Sequence, residues 1–141
     1  MTLSVPSPAV MASVHLQAFD APWNEAAFRD LLASPGVFAL GDEAGFILVR
    51  VILDEAEILT VGVRPDLRRH GLGRALVQQA IIQAAAKGAE RMFLEVAQSN
   101  LAAQYLYAST GFEQVGRRKN YYSLGDGSHE DALMMVLNFP L

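Results

Sequence analysis

A strand, a basic turn with two glycines and the start of a helix follow one another without interruption in the segment 57–75. The segment opens with strand-forming residues and ends its strand at Pro65, which lacks the N–H that a sheet ladder requires. Gly71 and Gly73 follow a run of arginines, and a helix begins directly after them. Backbone N–H groups at a helix start, free of side chains and surrounded by arginine, form an anion site. The segment therefore predicts a site for a pyrophosphate.

Two better-known phosphate loops do not fit this turn. A dinucleotide fingerprint needs a third glycine, and Leu76 stands at its position. A P-loop needs Gly-Lys-Ser/Thr, whereas Gly73 is followed by arginine and alanine. Two glycines alone are weak evidence, because turns carry glycine for backbone reasons. The pattern that is left is Arg68-x-x-Gly71-x-Gly73 between a strand and a helix.

The totals favour one folded domain over residues 1–141. A chain of 141 residues with 52% hydrophobic and 18% charged residues can bury a core and is not disordered in composition. Cysteine is absent, which excludes a thiol nucleophile and thiolate metal ligands and fits a cytoplasmic location. The three histidines are far apart in sequence, so we expect no metal. We also expect no membrane span and no signal peptide.

The charge pattern favours a small anionic ligand. The net charge is −4, which disfavours broad nucleic-acid binding, since that needs a basic face. Positive residues nevertheless cluster in the turn 64–74 and again at 117–119. The second cluster is equally compatible with a solvated charged surface.

The order of periodic segments predicts a mixed α/β domain. Three strands joined by short turns indicate an antiparallel meander, and a strand–helix–strand unit then requires parallel pairing with a right-handed crossover. Asn24 is predicted to cap the second helix, with Trp23 and Phe28 at the spacing of a hydrophobic staple. The predicted helices are 8–19, 24–33, one from Gly71 to Lys87-Gly88, and one from Ser99 or Asn100 to Thr110; the predicted strands are 37–40, 46–53, 56–63, 91–97, 112–122 with a bulge at Gly116, and 131–137.

The glycine-containing turn resembles the acetyl-CoA motif of the Gcn5-related N-acetyltransferase (GNAT) superfamily, Arg/Gln-x-x-Gly-x-Gly/Ala. The element order resembles that fold as well. Within the superfamily, residues 14–137 resemble the bacterial ribosomal-protein-alanine N-acetyltransferase family. This closer resemblance is carried by the stretches APWN at 21–24, LEV at 94–96, SN at 99–100, LY at 106–107, GF at 111–112, RKNYY at 118–122, DG at 126–127 and EDA at 130–132.

The resemblance implies acetyl-CoA as co-substrate and assigns a set of residues to it. Backbone groups of one strand would contact the pantetheine and polarise the thioester carbonyl, and the turn would hold the pyrophosphate. The implied cofactor-binding residues are Val61, Gly62, Val63, Arg68, Arg69, His70, Gly71, Leu72, Gly73, Arg74, Asn100 and Tyr107.

Two residues match the family's catalytic positions. Glu95 lies in an otherwise apolar strand, where a carboxylate is costly unless it is paired or solvated in a cleft. The resemblance makes it the general base that deprotonates the amine, directly or through water. Tyr107 matches the phenol that protonates the departing thiolate, although a lone aromatic residue on a helix is more often a core residue. Without the resemblance, Glu95 is also compatible with an edge-strand residue that faces water.

The resemblance also implies the acceptor. Trp23, Tyr121, Tyr122 and Asp126 would border a groove for a protein N-terminus, that of a ribosomal protein beginning with alanine. Trp23 is equally accounted for as a staple residue, and Asp126 as a solvated loop residue. Two alternatives stay open: an acetyltransferase for a small amine or a lysine side chain, and a non-catalytic CoA-binding domain. We expect a cytoplasmic monomer.

Three positions depart from the family pattern. Ala97 stands where many members have arginine, Ser123 stands where proline often follows the paired tyrosines, and His129 is an addition. These departures bear on the acceptor more than on the cofactor.

Overall fold

The computed structural model describes residues 4–139, which form six strands, four α-helices and one short 3₁₀ helix. In chain order these are α1 Pro8–Ala18, α2 Glu25–Ala33, β1 Val37–Asp42, β2 Gly45–Ile52, β3 Glu55–Val63, the 3₁₀ helix Pro65–Leu67, α3 Leu72–Ala86, β4 Arg91–Ala97, α4 Leu101–Ser109, β5 Glu113–Ser123 and β6 His129–Asn138. No helix within this range is long and apolar enough to cross a membrane.

The sheet has the predicted mixed character. Its strand order is β1-β2-β3-β4-β6-β5. The first three strands form the antiparallel meander, and β3 and β4 are parallel, with α3 as the crossover. The hairpin of β5 and β6 completes the sheet, with β6 next to β4.

Side-chain oxygens cap three of the four helices. Ser7 accepts a hydrogen bond from the N–H of Val10 at the start of α1. Asn24 caps α2 as predicted, and the rings of Trp23 and Phe28 lie 5.6 Å apart, as the staple spacing requires. Asn100 caps α4. These caps fix where each helix begins.

Two apolar clusters lie on opposite faces of the sheet. The larger cluster packs α3 against five strands, β1 to β4 and β6. It also includes Tyr107 of α4 and Phe112. The smaller packs α1 and α2 against β1 and β2. Alternation along each strand assigns neighbouring side chains to different clusters, as with Phe46 and Ile47 of β2.

A β-bulge in β3 changes which side chains face which layer. Thr60 pairs with Leu48, but the next pair is Ile58 with Val49, so Leu59 is the extra residue. Before the bulge, Ile58 points into the larger cluster. After the bulge, Thr60 points toward α1 and Val61 points toward the larger cluster. The bulge therefore sets the orientation of the end of β3.

The parallel strands β3 and β4 pair only near their beginnings. Their register runs from Glu55 opposite Arg91 to Glu57 opposite Phe93. Beyond Glu57 the two strands are not paired with each other, and their carboxyl ends flank an open cleft. This cleft contains the candidate site.

The hairpin of β5 and β6 is longer and tighter than expected. The last strand begins at His129, two residues before the predicted start, and the segment between the strands is only Leu124–Ser128. The predicted irregularity at Gly116 is present, since the register shifts between Gln114 and Gly116. A second shift follows between Arg118 and Tyr122.

Candidate active site

A cavity of about 1010 Å³ fills the cleft between the ends of β3 and β4. Its walls come from five parts of the chain: the end of α1, the end of β3, the basic turn with the first turn of α3, the end of β4, and α4. The lining residues are Ala18, Phe19, Asp20, Val61, Val63, Leu67, Arg68, Arg69, Gly71, Leu72, Gly73, Arg74, Ala97, Ser99, Asn100, Ala102, Ala103, Tyr105, Leu106, Tyr107 and Ser109.

The first turn of α3 supplies uncapped backbone donors to this cavity. Gly71 is the N-cap residue and has no side chain that could accept from the first N–H groups. Among the four α-helices within residues 4–139, α3 is the one without a side-chain cap. Its first turn also contains no acidic residue. The positive end of a 15-residue helix therefore faces the cavity, as an anion site requires.

The turn before α3 adopts left-handed backbone at two positions. Arg69 has φ 67° and Gly71 has φ 80°. A Cβ added to Gly71 would meet no atom within 4 Å, so glycine is required there by conformation and not by space. Gly73 differs, because an added Cβ would lie 3.3 Å from a methyl carbon of Leu106. Gly73 thus allows the start of α3 to approach α4.

Three arginines line the cavity, and their surroundings differ. Arg68 donates to the carbonyl of Val63 at 3.3 Å and to that of Ala18 at 3.4 Å, so it ties the turn to β3 and to the end of α1. Arg69 and Arg74 are exposed and line the cavity. These two guanidinium groups are placed to meet an anionic ligand.

The bulge in β3 presents alternate residues to the cavity. Val61 and Val63 line it, whereas Gly62 is buried on the other face. A Cβ added to Gly62 would meet Phe46 at 3.1 Å and Val14 at 3.5 Å. Glycine at this position therefore lets α1 pack closely against the strand that borders the cavity.

Tyr107 is buried on α4 and also lines the cavity. It is 7% exposed, and its ring packs edge-on against Phe112 at 5.8 Å. Burial, with a smaller effect from neighbouring Tyr122, raises the pKa of the Tyr107 phenol above its ordinary value near 10. The phenol therefore stays protonated at neutral pH and can act as a proton donor.

Glu95 points away from the larger core cluster. Its neighbours Leu94 and Val96 belong to that cluster, so alternation sends Glu95 to the opposite face of β4, opposite Met134 of β6. Its side chain is 16% exposed, and its Oε1 lies 3.2 Å from Nη2 of Arg118. The carboxylate is therefore paired, which accounts for its place in an apolar strand.

Tyr122, one of the paired tyrosines, lies near both Glu95 and Tyr107. Tyr121 and Tyr122 contact each other edge-on at 5.1 Å, and the Arg118 guanidinium lies over the Tyr121 ring. Burial and then the negative charge of Glu95 raise the pKa of Tyr122. Because Glu95 raises the pKa of Tyr122, and Tyr122 in turn raises the pKa of Tyr107, the three side chains share one neighbourhood.

The structure leaves some predicted site residues outside the cavity. Gly62, His70, Trp23, Glu95, Tyr121, Tyr122 and Asp126 do not line it. His70 is exposed in the turn. Asp126 is exposed in the hairpin loop, where Ser128 donates to it from both its N–H and its hydroxyl, and these bonds lower the pKa of Asp126. Apart from Gly62 and His70, the predicted cofactor residues all line the cavity, whereas none of the predicted acceptor residues does.

Two other hairpin acids are held by specific partners. Ser99 donates to Glu130 at 2.9 Å, which joins the hairpin to the start of α4. Asp131 pairs with Arg117 and accepts from the N–H of Asn120, and these bonds lower its pKa. Both acids therefore position the hairpin.

Sequence reasoning did not find the role of His15. This side chain is 2% exposed, and both of its ring nitrogens have hydrogen-bond partners. Its position within a helix with no apolar stripe of its own gave no signal. A family-wide alignment is the kind of information that could reveal such a residue.

The acetyltransferase (GNAT) family model matches residues 9–112. The [ribosomal protein bS18]-alanine N-acetyltransferase of Escherichia coli (strain K12) is 39% identical over 132 residues, which cover 89% of this chain and 88% of the relative. The matched range includes the basic turn, Glu95 and Tyr107.

The chain is also similar in structure to solved acetyltransferases. The crystal structure of the ribosomal-protein-S18-alanine N-acetyltransferase from Escherichia coli superimposes with a TM-score of 0.88 and 34% identity, covering 99% of this chain and 94% of that one. A nourseothricin acetyltransferase superimposes with a TM-score of 0.67 and 32% identity, covering 75% of this chain and 67% of that one.

Proposed function

The chain belongs to the GNAT family of acetyltransferases and is an acetyl-CoA-dependent N-acetyltransferase, and from this premise we propose that its acceptor is the α-amine of an N-terminal alanine, that of ribosomal protein bS18. The observation that supports this acceptor most strongly is the 39% identity to the E. coli bS18-alanine enzyme over 88% of that relative. The TM-score of 0.88 to a crystal structure of the same activity supports it. A cytoplasmic location and a monomeric state stay predictions.

The cavity supports the assignment of the cofactor residues. Uncapped N–H groups at the start of α3 hold the pyrophosphate, with Arg69 and Arg74 beside them. Backbone groups of β3 near Val61 and Val63 contact the pantetheine and polarise the thioester carbonyl. Arg68 keeps the turn in place through its two backbone bonds.

The reaction is a direct transfer in a ternary complex. Glu95 accepts a proton from the acceptor amine, and the amine nitrogen forms its bond to the acetyl carbonyl carbon. The carbon–sulfur bond then breaks, and the CoA thiolate takes the proton of the Tyr107 phenol. An α-amine has a pKa near 8, so about a tenth of it is already neutral at pH 7 and Glu95 accepts the proton of the remaining ammonium form. No acetyl-cysteine intermediate can form, since the chain has no cysteine.

The acceptor side consists of three aromatic residues and the hairpin. Tyr121 lies beneath the Arg118 guanidinium, and Tyr122 contacts Tyr121 and lies near Glu95. Trp23 lies on the loop between α1 and α2 and is 37% exposed. Asp126 lies at the hairpin tip, where its charge attracts a cationic N-terminus.

A different acceptor has a specific observation in its favour. The nourseothricin acetyltransferase is 32% identical, although it covers a smaller part of both chains. Initial rates should therefore be measured with three acceptors: a peptide with the bS18 N-terminal sequence, the same peptide with a blocked α-amine and a free lysine, and nourseothricin. We expect the highest kcat/KM for the free N-terminus. A higher value for either other acceptor would overturn the proposed acceptor.

A further inference from the structure

Three parts of the acetyltransferase meet at the ring of His15. Its Nδ1 accepts the backbone N–H of Trp23 at 2.9 Å, and its Nε2 lies 3.2 Å from Oγ1 of Thr60. The ring stacks on Phe19 at 4.1 Å and on Trp23 at 5.0 Å. We infer that His15 is a positioning residue that fixes the acceptor loop, residues 20–23, to the strand that carries the cofactor.

The hydrogen bonds require one form of the ring. Because Nδ1 accepts from Trp23, it carries no proton. The proton then lies on Nε2, which donates to the hydroxyl oxygen of Thr60. Burial among aromatic rings lowers the pKa of His15 to about 4, so this neutral form persists at physiological pH. His15 is therefore not a proton donor or acceptor in the reaction.

The acceptor loop has few other anchors. Within residues 4–139, the bond from Trp23 to His15 is the one hydrogen bond made by residues 20–23. The loop directly precedes Asn24, which caps α2, and directly follows Phe19, whose N–H donates to the carbonyl of His15. The bond of Phe19 is made by the backbone at the end of α1, so the His15 side chain holds the loop by a hydrogen bond at its end, Trp23.

The other hydrogen-bond partner of His15, Thr60, belongs to β3. Thr60 is 8% exposed and follows the bulge at Leu59. The next residue, Val61, lines the cavity. The His15 ring therefore links the backbone of Trp23 to β3 by hydrogen bonds at both of its nitrogens. Loss of this connection should loosen the acceptor side more than the cofactor site, to which the loop contributes only Asp20.

The inference rests on the proposed function, in which Trp23 borders the acceptor. In His15→Phe the stacked ring is kept and both hydrogen bonds are lost. We expect the KM for the acceptor peptide to rise about fivefold, the effect of one net hydrogen bond, with kcat and the KM for acetyl-CoA within about twofold of wild type. His15→Asn restores an acceptor near the position of Nδ1 and should recover part of the acceptor KM.

Met11→Ala is the matched control. Met11 is fully buried on the same helix and in the smaller cluster, but it does not hold the loop. It should lower the melting temperature and leave the acceptor KM unchanged. If Met11→Ala raises the acceptor KM as much as His15→Phe does, or if neither His15 variant raises it, His15 has only a structural role and the inference is wrong.

A readout without catalysis separates this inference from the proposed acceptor. The chain has a single tryptophan, so its fluorescence reports on the loop alone. Acrylamide quenching should increase in His15→Phe, increase less in His15→Asn and stay unchanged in Met11→Ala. This result would support the role of His15 even if the peptide is not acetylated. Equal quenching in wild type and in both His15 variants would contradict it.

Discussion

Nη2 of Arg118 lies 3.2 Å from Oε1 of Glu95, so the carboxylate assigned as general base is paired with a guanidinium in the ligand-free enzyme. The Arg118 side chain is 53% exposed and also lies over the Tyr121 ring. A cationic acceptor must therefore approach a carboxylate that already has a positive partner. The arginine side of the pair is exposed, whereas the Glu95 side chain is only 16% exposed, so an acceptor ammonium that displaces Arg118 takes over as the partner of the carboxylate.

Replacing Arg118 should make the acceptor bind more tightly. In Arg118→Gln, the positive charge that competes with the acceptor ammonium is lost, so the KM for the peptide should fall about threefold. Steady-state kinetics at fixed saturating acetyl-CoA measures this. Arg91→Gln is the control, because Arg91 lies at the start of β4, the strand of Glu95, and pairs with Glu55 of β3 instead of Glu95. An increase in KM in Arg118→Gln would mean that the arginine assists acceptor binding.

Glu95→Gln should remove the general base and keep the donor site. We expect kcat to fall about 10² to 10⁴-fold, the usual range for one proton-transfer group. Isothermal titration with acetyl-CoA should give the same dissociation constant as wild type, since Glu95 does not line the cavity. A variant with wild-type turnover would show that Glu95 is not the base.

Tyr107→Phe should slow thiolate departure by at least about 10²-fold in kcat. Because burial raises the pKa of the phenol above 10, the wild-type rate should show no loss between pH 8 and 10 from deprotonation of this group. A pH–rate profile under acetyl-CoA saturation measures this. A fall in wild-type kcat with a midpoint below pH 10 that disappears in Tyr107→Phe would contradict the assigned environment.

Gly71→Ala and Gly88→Ala form a matched pair at the two ends of α3. Both glycines have positive φ, 80° and 99°, and open space where a Cβ would lie. Each substitution should therefore cost about 1 kcal/mol or more of stability through backbone strain alone. Only Gly71→Ala should also weaken acetyl-CoA binding, because Gly71 lines the cavity. Equal affinities of the two variants for acetyl-CoA would show that the turn is not part of the cofactor site.

The stability of the enzyme should depend on pH through His15. Its pKa is about 4 when folded and near 6.5 when unfolded, so the unfolded chain binds the proton more readily. The contribution of His15 to the free energy of unfolding is fully present above pH 6.5. It is lost as the pH falls from 6.5 to 4, by roughly 3 kcal/mol in total. None of the rings around it, Phe19, Trp23, Phe28 and Phe46, titrates.

Urea unfolding at pH 7.5 and pH 5 measures this dependence. Carboxylates also titrate near the lower end of this range, so the comparison is between wild type and His15→Phe. The variant should lose less stability than wild type over the same interval. An identical loss in both proteins would show that His15 is not responsible.

Local signals in the sequence were sufficient to predict most elements. Caps such as Asn24 and stops such as Gly88 act within one helix turn, so the helices were placed within a few residues. The parallel pairing of β3 and β4 followed from the helix between them. The convergence of the turn, β3 and α4 on one cavity is likewise a consequence of that topology.

Long-range relationships could not be predicted from the sequence. The bulge at Leu59 decides that Val61 lines the cavity and Thr60 does not, and no residue type marks it. The pairing of Glu95 with Arg118 depends on the register of β6 against both β4 and β5. The burial of His15 depends on aromatic rings from α2, from β2 and from the segment after α1. Each of these requires the tertiary structure.

The acceptor that we propose for the enzyme is the α-amine of an N-terminal alanine. Fragment-ion mass spectrometry of the bS18 N-terminal peptide, with an internal lysine, after incubation with the enzyme and acetyl-CoA tests it directly. We predict one added acetyl group, located on the N-terminal residue, and at least about 10²-fold slower formation of this product with Glu95→Gln. An acetyl group on the lysine, or an unmodified peptide in the presence of enzyme that binds acetyl-CoA, would contradict the claim.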